Sequence, residues 1–115
     1  MRSRRKNMLK GLYKVEFETP RGKSAGVIFA NDGKLRGGSS AFAYVGSYQQ
    51  VGHTISGVVT STQHTDDPDH PSVFGINNVR IDFQGAEKDG FASVEGTAAE
   101  APSLHFKAVL TRISD

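Results

Sequence analysis

The stretch "HTDDPDH", His64 to His70, packs two imidazoles and three carboxylates into seven residues. These are side chains from which metal sites are built. Zinc would draw on His64, His70 and one aspartate, but such ligand pairs normally sit closer together or on a regular element that fixes their geometry. Calcium would draw on Asp67 and Asp69, yet Pro68 stands between them and no glycine supplies the sharp turn of a calcium loop. Over the slightly longer "HTDDPDHPS", the two prolines and three aspartates are also ordinary loop formers. The expectation is therefore a loop with no metal, or only an adventitious one.

Other candidate chemistry is sparser. Glu16 and Glu18 have the i, i+2 spacing that puts an acid/base pair on one strand face, but Lys14 shares that face and a solvated strand surface accounts for all three. "GGSS", Gly37 to Ser40, resembles an anion-binding nest without the lysine or spacing of a phosphate loop. No serine lies in Gly-x-Ser-x-Gly, and no histidine is spaced against a serine and an acid in a recognisable pattern. The chain has no cysteine, which removes disulfides, thiolate zinc sites and cysteine nucleophiles. The reading is a non-enzyme with no catalytic residues and no cofactor.

At 115 residues the chain makes one domain. Its 13 glycines point to turns and crowded backbones and favour β over α structure. Arg2, Arg4, Arg5 and Lys6 form a basic start, so removing their four charges from the formal +2 leaves −2 for the rest. We expect residues 1–7 to be a disordered leader, with Met8 a possible true start, and 8–115 to be the domain. A body without a basic stripe argues against nucleic acid as a partner. No apolar run approaches a secretion signal or the roughly 20 residues of a membrane helix. With no cysteine, this leads us to expect no membrane partner and a cytoplasmic location.

The elements that must position any site follow a period of two. "YKVEFE" sets Tyr13, Val15 and Phe17 against Lys14, Glu16 and Glu18, a half-buried antiparallel strand. After "TPRGK", "SAGVIFA" reads as a second strand, and the Asp-Gly of "NDGK" turns it back onto "LR". "AFAYVGSYQ" puts Phe42, Tyr44 and Tyr48 on one side with Gly46 between. "QVGH" turns into "TISGVVTSTQ", and "NVRIDFQ" places Val79, Ile81 and Phe83 together. "AEKDG" then turns into "FASVEGTA". After "EAPS", "LHFKAVLTRI" closes the chain with Leu104, Phe106, Ala108 and Leu110 inward. About eight short strands in sequential hairpins predict an all-β, eight-stranded antiparallel up-and-down barrel.

Such a barrel is either filled by side chains or holds one small ligand. Tyr13, Phe17, Phe42, Tyr44, Tyr48, Phe83 and Phe106, with Val15, predict a largely filled interior and would line any ligand site. Gly26, Gly46, Gly57 and Gly96 argue the other way, because each removes volume. On the outer face of the last strand, Val109 and Ile113 are candidate dimer-interface residues, with Val45 or Val58 joining them.

"GLYKVEF", "GKLRGGSSAFAYVGSY" and "PSVFGI" resemble the bacterial family of the type III secretion negative regulator GrlR, over essentially the whole chain from Met8. The resemblance implies a small lipocalin-like (calycin-like) barrel, a homodimer, and a regulator that acts by direct binding to a protein partner, a transcriptional activator. At the turn before the fifth strand the regulator carries acidic residues associated with its partner, whereas this chain has Gln49, Gln50, Val51, Gly52 and His53. An acidic patch attracts and orients a basic partner, so the departure points to another target. Lipocalins proper place Gly-x-Trp in the first strand where this chain has Gly11-Leu12-Tyr13. The alternative reading is an intracellular lipocalin-like barrel that binds a small apolar ligand.

Overall fold

The computed structural model describes residues 9–115, so the expected leader at 1–7 lies outside the described residues. Eight strands follow one another: β1 (Gly11–Thr19), β2 (Gly22–Asn31), β3 (Lys34–Gly38), β4 (Phe42–Val51), β5 (Thr54–Gln63), β6 (Asn78–Lys88), β7 (Phe91–Ala98) and β8 (Ala101–Ser114). Each pairs antiparallel with the next and β8 pairs with β1, closing an up-and-down, lipocalin-like barrel. The described residues contain no helix.

Turn chemistry fixes the register. Asp32 and Gly33 both have positive φ, 52° and 77°, as do Asp89 and Gly90 at 54° and 83°. This is the backbone that two-residue hairpins need to match strand twist. The second of these turns is shorter than "AEKDG" suggests. Ala86, Glu87 and Lys88 still pair with Ser93, Ala92 and Phe91, leaving only Asp89 and Gly90 in the bend.

The inward glycines answer the argument for a hollow interior. They do not hollow the barrel; they let its strands come together. A Cβ built on Gly37, Gly46, Gly57, Gly85 or Gly96 would collide with the carbonyl oxygen of an adjacent strand, so at these positions the sheet coils more tightly than a side chain permits. Bulky inward residues stand opposite. Phe83 lies between Gly57 and Gly96, and Gly46 between Leu35 and Val59. Small thus faces large around the wall, and the aromatic rings fill the space that the glycines leave.

Each mouth is partly covered by a segment outside the strands. At one end Leu9, 2% exposed, donates its N–H to Gln50 Oε1 and accepts from the Tyr48 hydroxyl through its carbonyl, both at 2.5 Å. Beside it the buried Glu87 carboxyl accepts from Gln50 Nε2 at 2.9 Å and from the Gly90 N–H at 3.2 Å. A carboxyl group inside a wall is tolerated when donors meet its oxygens.

Candidate functional site

The segment between β5 and β6 partly covers the opposite mouth. Its ends are tied where the Gln63 N–H donates to the Asn77 carbonyl at 2.9 Å, and His64 and Thr65 N–H groups both donate to the Ala41 carbonyl. A compact loop with joined ends results. From it Val73 and Phe74 turn into the barrel and are buried. The Thr19 hydroxyl donates to the Val73 carbonyl, pinning the loop to the end of β1. Phe74 stacks on Phe106 with ring centroids 5.8 Å apart, Phe106 meets Phe17 at 5.8 Å, and Phe17 meets Tyr44 edge-on at 5.9 Å. The stacks run from the lid down into the core.

Beneath the lid lies a cavity of about 60 Å³ lined by Val15, Phe17, Ile28, Tyr44, Phe74 and Phe106, among others. Ligand pockets usually begin at about 300 Å³, and even benzene requires roughly 150 Å³. The void therefore takes a drug-sized ligand only if the lid moves. Of the seven expected lining residues, Phe17, Phe42, Tyr44 and Phe106 border the cavity. Tyr13 and Tyr48 sit toward the Leu9 end, where both reach its backbone neighbourhood, and Phe83 packs over Gly57. Val73 and Phe74 escaped the sequence reading as lining residues. Their signal was an adjacent apolar pair inside an otherwise polar loop.

The histidines of the opening motif hold that loop in shape. His64 Nε2 lies 3.1 Å from the Ser39 carbonyl, which can only accept, so this nitrogen carries the proton; Nδ1, 2.7 Å from the Thr65 hydroxyl, accepts. His70 Nδ1 meets Asp67 Oδ2 at 2.7 Å, and Asp67 Oδ1 accepts from the Asp69 N–H at 3.1 Å. These hydrogen bonds, from His70 first and then from Asp69, hold the Asp67 carboxyl below its ordinary range. Among the described residues no group of three potential metal ligands gathers.

On the outside, Val109 is half-buried between Glu16 and Ser93, and Ile113 is 56% exposed near the end of β8. Val45 and Val58 belong to β4 and β5, away from these two, and the apolar neighbour of Val109 and Ile113 is instead Phe91, which pairs with Thr111 between them. A second apolar surface crosses β1 to β4. Leu12 pairs with Phe29, Phe29 with Arg36 and Arg36 with Val45, while Val27 lies one row away. Val27 and Phe29 are each 42% exposed and Val45 49%.

No family model matches the chain, and no curated protein matches it either.

Proposed function

We propose that this protein is a non-enzymatic regulatory barrel, of the kind its resemblance to GrlR implies, that works by direct binding to a protein partner. The observation that carries this reading is the exposed Val27, Phe29 and Val45, with the half-buried Leu12 beside Phe29, on a barrel whose interior is filled by its own side chains. Apolar side chains clustered on the outside of a filled core, here interrupted by Arg36 between Phe29 and Val45, mark a protein contact with a mixed apolar and polar surface. A second copy belongs to the proposal, seated on Phe91, Val109 and Ile113, so that the two apolar surfaces serve different contacts. Phe29→Glu tests the partner surface. We expect quantitative recovery from the native cell of one transcriptional regulator with the wild-type protein, and its loss from the variant with the far-ultraviolet spectrum unchanged. Equal recovery by both proteins would contradict the assignment.

The apolar cavity under Phe74 favours a second reading, a barrel for a small apolar ligand that enters by displacing the lid. A stoichiometric organic molecule in protein purified from its own cell would favour it over the first.

A further inference from the structure

β3 is five residues long beside the ten of β2, so half of β2 has no neighbour on that side. The two-residue turn at Asp32–Gly33 makes Asn31 and Lys34 a hydrogen-bonded pair, and alternation then makes Phe29 with Arg36 and Val27 with Gly38 hydrogen-bonded pairs too. The same alternation turns the N–H and C=O of Lys23 and Ala25 toward this edge, beyond the end of β3. Among the described residues no hydrogen bond meets these four groups. A groove of about 540 Å³ runs along them, with Phe42 and Val73 among its lining and Ser39, Ser40 and the Asp69–Ser72 stretch opposite.

We propose that this open edge of β2 binds an extended acidic peptide of a protein partner by strand addition. Two donors and two acceptors in strand register are what such a peptide pairs with. About four residues, roughly 13 Å at ~3.3 Å each, span the gap. Alternate side chains of the peptide face the apolar lining, and those between them lie beside Arg21 and Lys23, against which only Asp69 is acidic in the groove, His70 being already bonded to Asp67. That balance selects a negative strand. A second copy of this chain fits poorly, because pairing Lys23 with Ala25 of that copy sets the two Lys23 side chains on adjacent diagonal positions.

The proposal rests on the interaction-barrel reading and adds, beside the Phe29 surface, a second contact for an extended segment of the same partner. The test is amide chemical-shift mapping with the peptide Glu-Val-Glu-Val-Glu, its lysine counterpart Lys-Val-Lys-Val-Lys, and two variants. Ala25→Pro deletes an edge N–H that bonds no other strand, a place where proline is tolerated; Lys23→Glu keeps the backbone and reverses the charge. We expect shifts at Lys23, Ala25, Ser39 and Ser40, at least tenfold weaker binding of the lysine peptide, a similar loss in Ala25→Pro, and a reversed peptide preference in Lys23→Glu. No shifts at millimolar peptide, or binding indifferent to both variants, would overturn the proposal. If partner capture through Phe29 succeeds while the peptides fail, the edge is wrong and the interaction barrel stands; if both fail, the reading beneath them falls as well.

Discussion

Tyr13, Tyr44 and Tyr48 are all the tyrosines of the chain, and all three are buried. Burial raises each pKa above the ordinary value, because a phenolate inside an apolar wall loses its hydration. The folded chain therefore retains protons that the unfolded chain releases above about pH 10, so stability is intact below that pH and falls as pH rises through it. An alkaline titration should show tyrosinate absorbance only together with loss of the β-sheet spectrum. Absorbance that rises while the fold persists would mean the rings are accessible. These inward aromatics were legible from alternation alone. Glu87 and Leu9 were not, since a glutamate in the turn sequence "AEKDG" and a leucine ahead of the first strand pattern carry no local signal of burial. Their burial depends on Gln50, 37 and 41 residues away in sequence.

Strands and tight turns were readable because each is a local device: period two for the face, Asp-Gly for the reversal. The lid was not, because a loop carries no period and its burial depends on an aromatic partner on β8. The two histidines invited a metal reading, and in the fold they bond the loop to itself and to Ser39. The glycines stood in the sequence as the argument against a filled interior, since sequence shows the missing side chain but not the strand pressed against it. Gly85→Val drives a side chain into the Ser93 carbonyl and the Val94 backbone. We expect it to cost about 3 kcal/mol or more, whereas Ala86→Val on the exposed face changes stability by less than about 0.5 kcal/mol. Urea denaturation separates the two, and equal midpoints would show that the wall has room at Gly85.

The molecule as a whole is a barrel whose interior is occupied by its own rings and whose mouths are partly covered by Leu9 and by Val73 with Phe74. Its architecture followed from sequential hairpins, but whether the interior was filled or hollow depended on packing that no single strand reveals. With only about 60 Å³ left inside, the proposed function lies on the outer surface, in contact with a protein and a second copy of the chain. Native mass spectrometry of the protein isolated gently from its own cell tests that claim most directly, because one spectrum reads subunit number, protein partners and small ligands together. The account predicts two copies carrying an added mass of protein size and no organic adduct. A single copy holding one small organic molecule, with no protein attached, would contradict it and move the function into the barrel.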